Sequence, residues 1–306
     1  MNKHLYHITL ILSLFCILSC TPKQKEKKGK VQIVTTTGMI YDAVIHIGGD
    51  QVEAQALMGP GVDPHLYKAT QGDLQKLQQA DIVFYNGLHL EGKMGEVFEK
   101  LARIKNVAAI SADLSDSLLR ESETYPGTYD PHIWFDVALW ADAIQNIRDQ
   151  LIRYDSAHID YYTQNANNYL QQLDSLDTAV KSEIATIPPS QRLLITAHDA
   201  FGYFGDAYDI EVKGLQGLST LSEPGLKDIS QLVNLIIDRK IKAVFIETSV
   251  SKKAINAVVQ GCKESGHDVK IGGSLYSDAM GSFCEFEGTY IGMVHTNVQT
   301  IVNALK

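Results

Sequence analysis

The sequence predicts an α/β protein with two lobes, each a parallel sheet flanked by helices, bridged by one long rigid helix. From residue 31 onward, short apolar runs alternate with amphipathic stretches of helix length, a pattern typical of βαβ units and parallel sheets. The alternation stops between about residues 136 and 187, where two helical stretches follow each other, and then resumes. We therefore predict an amino-terminal lobe over residues 31–155, a bridging helix over 156–187 and a carboxy-terminal lobe over 188–306.

The composition indicates a globular protein and argues against two classes of function. The 306 residues can hold two ordinary domains or one large one, with 45% hydrophobic and 21% charged residues. The formal net charge is −9, so DNA and RNA are poor partners and cations are plausible ones. Apart from the amino terminus, no segment reaches the length of a transmembrane helix, so the chain is not itself a permease. We expect a monomer that binds no nucleic acid.

The first thirty residues predict export and attachment to a membrane. Residues 1–19 combine a weakly positive start with an apolar stretch too short to span a bilayer, as in a signal peptide. The stretch ends in ILSC, which resembles the bacterial lipoprotein processing site, so Cys20 is predicted to be acylated and to become the mature N-terminus. Residues 20–30 are polar and lysine-rich, as expected of a flexible tether. The alternative is an ordinary secretory signal in which Cys20 is incidental.

In the amino-terminal lobe, four short apolar runs are predicted as strands: VQIVTT, VEAQALM, DIVFYNG and VAAIS. The stretches GMIYDAVIHIGG, ATQGDLQKLQQA and EVFEKLARI between them are predicted as helices, because they are amphipathic and long enough for several turns. A further helix, ALWADAIQNIRDQLIRYD, ends the lobe.

The bridging helix is predicted from a stretch of about thirty residues without glycine or proline. Such a helix would be ~45 Å long at ~1.5 Å per residue, which is more than one small domain needs. Apolar heptads are not sustained along it, which argues against a coiled coil. A helix that joins two lobes is the better interpretation.

The alternation restarts in the carboxy-terminal lobe after IPPS. In order, its stretches are RLLITAH, DAFGYFGDAY, DIEVKGL, EPGLKDISQLVNLIIDRK, KAVFIETS, KKAINAVVQGCKES, HDVKIGG and the final helix EGTYIGMVHTNVQTIVNALK. The lobe also contains Cys262 and Cys284. An exported protein can form a disulfide, but spacing in sequence cannot show the required geometry, so we expect both as unpaired small core residues.

Four residues that can bind a metal fall in loops after predicted strands, where open parallel sheets bind ligands. They are His65, His132, His198 and Asp278. Three imidazoles and one carboxylate form a complete set of ligands for Zn²⁺ or a neighbouring transition metal. Each residue alone could be structural, and Asp278 alone would more readily be a turn residue. Four such residues in corresponding loops of two lobes favour a metal site.

Other polar residues near these loops could orient the ligands. The tripeptide DPH occurs twice, and Asp63 and Asp130 can each accept a hydrogen bond from the neighbouring imidazole while proline fixes the backbone. Glu247, at the end of the strand in FIETSVS, could orient His198 or Asp278. His89, in NGLHLEGKM, lies near the site end of its strand and is the weakest of these candidates.

The same segments carry a family resemblance that covers about residue 31 to the end. The motifs are GVDPHLYKAT, YNGLHLE, DPHIWFDV, TAHDAFGYF, LQGLSTLSEPGLKDI, FIETSVS, GGSLYSDAMG and EGTYIGMVHTNVQTIVNAL. In this order they resemble the metal-binding lipoproteins of zinc and manganese ABC importers, the cluster A-I solute-binding family. The resemblance implies two α/β lobes bridged by a long helix, with the metal between the lobes. It also implies that His65, His132, His198 and Asp278 are the metal ligands.

Two departures from the family pattern bear on the metal. The segment SETYPGTYDPH is short and lacks the His- and acid-rich loop of many zinc-specific members. Manganese-specific members usually place Glu where this chain has His198. Three nitrogen donors and the general affinity order favour Zn²⁺, with Mn²⁺ next, and metal supply could still make Mn²⁺ or Fe²⁺ the transported ion.

The resemblance implies an extracytoplasmic, membrane-anchored protein that captures a divalent metal and delivers it to an ABC permease and its ATPase subunit. Two alternatives remain open from the residues alone. A zinc-dependent hydrolase would need a solvent ligand in place of Asp278 and Glu247 as base, and the chain lacks the motifs H-E-x-x-H and G-x-S-x-G. A surface adhesin is the second alternative, with no sequence feature in its favour.

Overall fold

The computed structural model describes residues 29–122 and 126–306. The predicted signal peptide, Cys20 and most of the tether lie outside the described residues. Residues 31–306 form one compact unit. Within the described part of the chain, no helix has the length and apolar character needed to cross a membrane.

The sheet of the amino-terminal lobe consists of four parallel strands in the order β2-β1-β3-β4. The strands are β1 (Val31–Thr35), β2 (Val52–Ala56), β3 (Ile82–Tyr85) and β4 (Asn106–Ala109). The helices between them are α1 (Gly38–Gly48), α2 (Gln71–Gln79) and α3 (Gly95–Ala102). Helix α2 begins with a capping box, in which Thr70 and Asp73 satisfy each other's backbone N–H groups. The predicted βαβ pattern is confirmed.

The long helix predicted from the sequence is present and contacts both lobes. It follows α4 (Val137–Tyr154) as α5 (Ile159–Ile184), 26 residues or ~39 Å long. On one side, the Tyr169 hydroxyl donates to Oδ2 of Asp42 in α1 at 2.6 Å. On the other, the Tyr208 hydroxyl of the carboxy-terminal lobe donates to Oδ1 of Asp177 at 3.1 Å. Apolar side chains of α5 and of both lobes form one continuous buried cluster.

The carboxy-terminal lobe has two parallel strand pairs instead of one unbroken sheet. Strand β5 (Leu193–His198) pairs with β6 (Glu211–Gln216), and β7 (Ala243–Glu247) pairs with β8 (Lys270–Leu275). The two pairs lie side by side, with β5 against β7, and the β7–β8 register shifts between Val244 and Phe245. The helices are α6 (Gly202–Tyr208), α7 (Leu226–Asp238), α8 (Lys253–Glu264) and α9 (Tyr290–Leu305).

The two cysteines of this lobe are unpaired, as expected, but only one is in the core. Cys262 is fully buried on α8, whereas Cys284 is exposed. The expectation of a core residue is wrong for Cys284 because residues 282–286, the later part of the segment between β8 and α9, are exposed at the surface. Its neighbours Phe283 and Phe286 are also about half exposed.

Candidate metal centre

Four buried side chains converge at the carboxyl ends of the strands. His65 follows β2, His132 precedes α4, His198 is the last residue of β5, and Asp278 follows β8. One nitrogen or oxygen of each lies within 4.8 Å of all the others. The structure therefore brings together all four candidate ligands, two from each lobe.

The spacing of the four groups suits a small divalent cation. The Nε2 atoms of His65 and His132 are 3.3 Å apart. Oδ2 of Asp278 lies 3.3 Å from Nε2 of His198 and 3.7 Å from Nε2 of His65, and Oδ1 lies 3.5 Å from Nε2 of His132. In a tetrahedral zinc site with bonds of ~2.0–2.1 Å, neighbouring ligand atoms are ~3.3–3.4 Å apart.

The carboxylate of Asp278 lacks the hydrogen bonds that a buried carboxylate needs. Its side chain is buried, and neither oxygen has a hydrogen-bond partner among the described residues. Nε2 of the fully buried His198 likewise has no hydrogen-bond partner among the described residues. Because buried polar atoms without partners are rare and costly, these atoms are available to a cation.

Asp130 orients the imidazole of His132. Oδ1 of Asp130 accepts the backbone N–H of His132 at 2.9 Å and lies 2.7 Å from Nδ1 of the same ring. With the Nδ1 proton held by the carboxylate, Nε2 is directed to Asp278 and is free to bind a metal. Both Asp130 and His132 are buried.

Glu247, on the neighbouring strand β7, orients the imidazole of His198. Oε1 of Glu247 accepts the backbone N–H of His198 at 2.9 Å, and Oε2 lies 2.5 Å from its Nδ1. Glu247 is buried, and both of its oxygens hold this histidine. It is therefore not positioned as a base that could activate water.

Asp63 acts on the backbone of its histidine and not on the ring. Oδ1 accepts the backbone N–H of His65 at 2.8 Å, while Oδ2 accepts the hydroxyl of Thr220 at 2.5 Å. Among the described residues, none forms a hydrogen bond with Nδ1 of His65. Thr220 belongs to the carboxy-terminal lobe, so Asp63 links the loop of His65 to the other lobe.

The protonation of the centre is uneven. Burial alone acts to lower the pKa of His132, but Asp130 and Asp278 outweigh it and raise that pKa to about 9. Despite burial, Glu247 and Asp278 likewise hold the pKa of His198 well above its usual value. Burial lowers the pKa of His65 to about 3. Burial alone would raise the pKa of Asp278, and the adjacent imidazoles keep it well below its usual range. A metal that enters therefore displaces protons from His132 and His198.

The structure does not bring His89 to the four-residue group. Its side chain is exposed, because the turn after β3 has positive φ at Leu88 and His89. The residue of this turn that faces the interior is Glu91, which is buried and accepts the hydroxyl of Thr36 at 2.6 Å and the backbone N–H of Asn86 at 2.8 Å.

Asn86 in turn supports the loop that carries His132. Its side-chain amide donates to the carbonyl oxygen of Pro131 at 2.9 Å. The sequence reasoning missed Asn86 and Glu91. The glycine after Asn86 marks the turn, but nothing in the sequence indicates that Glu91 folds back under it.

Known proteins resemble this chain over nearly its whole length. A family model described as ZnuA, zinc-uptake complex component A, periplasmic, matches residues 33–304. The manganese-binding lipoprotein MntA of Bacillus subtilis is 48% identical over 300 residues, 97% of this chain and 97% of MntA. The zinc-binding protein TroA of Treponema pallidum is 48% identical over 286 residues, 92% of this chain and 91% of TroA. A solved structure of the T. pallidum periplasmic zinc-binding protein TroA matches with a TM-score of 0.88, covering 90% of this chain and 99% of that one.

Proposed function

Because this chain belongs to the ZnuA family of periplasmic metal-uptake components, we propose that it captures a divalent transition metal outside the cytoplasm and delivers it to an ABC permease. His65, His132, His198 and Asp278 are the proposed ligands. The observation that carries the proposal is the Asp278 carboxylate, buried among three imidazoles without a hydrogen-bond partner among the described residues.

The proposed cargo is Zn²⁺ first and Mn²⁺ second, one ion per chain. Three nitrogen donors and one carboxylate favour Zn²⁺, which also stands above Mn²⁺ in the general affinity order. The names of the relatives do not decide the question, since two relatives of equal identity are described as manganese-binding and zinc-binding. The donor set of this chain therefore supports the choice of zinc.

The experiment is to measure the metal content of protein purified without added metal, followed by competition between Zn²⁺ and Mn²⁺. We expect one ion per chain and displacement of Mn²⁺ by Zn²⁺. A protein that holds no ion and whose melting temperature is unaffected by either metal would overturn the proposal.

The proposed partners are an ABC permease and its ATPase subunit, with the chain acting as a monomer. Several relatives are described as substrate-binding lipoproteins of ABC transporters, including PsaA of Streptococcus pneumoniae. The negative net charge is consistent with a cation carrier that binds no nucleic acid.

The proposed anchor is a lipid on Cys20, which places the protein on the outer face of a membrane. We predict that Cys20→Ser moves the protein from the membrane fraction to the soluble fraction and leaves metal affinity unchanged, because the tether contributes no ligand. Fractionation followed by a metal titration tests both parts. A mutant that stays in the membrane fraction would remove the anchor from the proposal.

The hydrolase and adhesin alternatives gain no support. Four protein ligands leave no open position for a catalytic water, and Glu247 is engaged with His198 through both oxygens. No surface feature of the described residues favours an adhesin.

A further inference from the structure

Arg120 lies where the loop that carries His132 meets the loop that carries His198. We propose that Arg120 is a positioning residue that ties these two ligand loops together and thereby slows metal release. The inference rests on the proposed function, because it concerns how tightly the same four-residue site holds its ion.

Arg120 is fixed to the second DPH segment through the backbone. The N–H of Asp130 donates to the carbonyl oxygen of Arg120 at 2.9 Å. Next to this pair, Glu121 and Tyr129 form an antiparallel bridge. The position of Arg120 therefore sets the position of Asp130, which holds both the backbone and the ring of His132.

The guanidinium group of Arg120 lies among three carboxylates that belong to both lobes. Its Nε is 3.7 Å from Oδ2 of Asp130, and its Nη1 pairs with Asp206 of α6. Asp199, the residue after His198, lines the same cleft as Arg120, Asp130 and Asp206. One cation thus balances acidic groups next to both ligand histidines.

Residues at the start of helix α6 contact both Arg120 and Asp130. The Tyr203 hydroxyl accepts the backbone N–H of Arg120 at 3.0 Å and donates to the carbonyl oxygen of Asp130 at 3.1 Å. At Gly202, an added Cβ would lie 2.7 Å from Nε of Arg120 and 2.9 Å from Oδ2 of Asp130. A side chain at this position would displace the guanidinium or the carboxylate from its place against the helix.

Loss of the guanidinium charge would leave the carboxylates unbalanced. Oδ2 of Asp130 is buried without a hydrogen bond, and Arg120 is the only arginine or lysine paired with Asp130 in the described part of the chain. Without it, Asp130, Asp199 and Asp206 repel one another across the junction of the lobes. The loops of His132 and His198 then separate more readily. The bound ion should leave faster, while the capture step changes little.

The test compares metal release from the full-length protein and three variants. Arg120→Gln removes the charge, Arg120→Lys keeps it, and Arg239→Gln is the matched control. Arg239 pairs with Glu211 within one lobe, so its loss changes the net charge equally without touching the junction. Zinc-loaded protein is mixed with excess chelator, and association is measured separately by stopped flow.

We expect Arg120→Gln to release zinc about tenfold faster, with the association rate nearly unchanged. Arg120→Lys should restore most of the slow release, and Arg239→Gln should behave as wild type. Equal release from Arg120→Gln and wild type would overturn the inference, as would the same acceleration in Arg239→Gln. If circular dichroism shows that Arg120→Gln is unfolded, Asp206→Asn replaces it, because it breaks the pair that joins Arg120 to α6. Faster release than wild type is then expected, and unchanged release would overturn the inference.

The outcome separates this inference from the proposed function. If the wild-type protein binds one zinc ion and Arg120→Gln releases it at the wild-type rate, only the proposed role of Arg120 is refuted. Wild-type protein that binds no metal would refute the proposed function and the inference with it.

Discussion

The two DPH segments have the same three residues but hold their histidines differently. In both, the aspartate accepts the backbone N–H of the histidine two residues later, at 2.8 Å for Asp63 with His65 and 2.9 Å for Asp130 with His132. This local turn follows from the tripeptide, because aspartate favours such a bond and proline restricts the backbone between. The backbone turn is thus a property of the sequence itself.

The rings differ because tertiary contacts decide what else each carboxylate binds. Asp130 also holds Nδ1 of His132 at 2.7 Å, whereas the second oxygen of Asp63 accepts the hydroxyl of Thr220. Despite burial, Asp130 and Asp278 raise the pKa of His132, which is therefore protonated at neutral pH, whereas burial lowers the pKa of His65, which is neutral. The same motif thus holds one candidate ligand that would compete with protons for a metal and one that would not.

Removing either histidine is expected to have the largest effect. Metal binding should stabilise the wild-type protein by about 2.7 kcal/mol at a free metal level 100-fold above the dissociation constant. His65→Ala, His132→Ala and Asp278→Ala should each lose most of this gain, because each removes a ligand. Melting curves with and without metal measure it. A metal-dependent shift that survives His65→Ala would mean that only the second DPH segment contributes a ligand.

The pH dependence of binding should follow His132 and His198 and not His65. Metal affinity should rise by about tenfold per pH unit for each proton displaced, levelling off for His132 near pH 9. The metal-free protein should show the opposite trend. Since the pKa of His132 is raised in the folded state, its stabilising contribution is full below pH 6.5 and is lost as pH rises through about 9.

Titrations of zinc at several pH values, together with melting curves of the metal-free protein, test this prediction. An affinity that does not change between pH 6 and pH 8 would contradict the difference between the two histidines.

Matched substitutions of the two aspartates should separate support of the histidine ring from support of the histidine backbone. Asp130→Asn should weaken metal binding by about tenfold or more, because the charged partner of the His132 ring is lost. Asp63→Asn should have a smaller effect, since its amide oxygen can still accept the backbone N–H of His65. Isothermal titration with zinc compares them. Equal losses would show that the backbone turn, and not the ring contact, is what matters.

The smallest effect concerns selectivity and involves His198, which Glu247 holds much as Asp130 holds His132. His198→Glu would change the site to two nitrogens and two carboxylates, and carboxylate oxygens suit Mn²⁺ better than imidazole does. We expect a lower preference for Zn²⁺ over Mn²⁺ without a reversal, because Zn²⁺ still stands higher in the affinity order. Competition titrations at fixed pH measure the ratio. An unchanged ratio in a folded variant that binds one metal would argue that His198 is not a ligand.

Much of the fold follows from local patterns, and so do the positions of the candidate ligands. The alternation of strands and helices was readable because each element carries its own periodicity. The four candidate ligands stood out because the carboxyl ends of parallel strands meet at one edge. The split between β5–β6 and β7–β8 was not predictable, since it depends on how β5 and β7, which are distant in the chain, pack against each other.

The contacts around the site were harder to foresee because they join residues far apart in the chain. Thr220 and Asp63 are 157 positions apart, and Trp134 donates its indole N–H to the carbonyl oxygen of Ser277, 143 positions away, at 3.0 Å. The sequence made His89 only the weakest of the candidates, because it lies near the site end of its strand. The positive φ of two residues in that turn places His89 outside and Glu91 inside.

The apolar cluster that runs through α5 has a consequence for how the protein melts. Core side chains of α1, α4, α5 and α9 and of strands from both sheets belong to it. Neither lobe can lose its part of this cluster without exposing the side chains that the other lobe contributes to it. Heating should therefore give one transition, in which the calorimetric enthalpy equals the van't Hoff enthalpy. Amide protons of β3 and β7 should exchange with solvent only through the same global opening, so the lobes melt as a single cooperative unit.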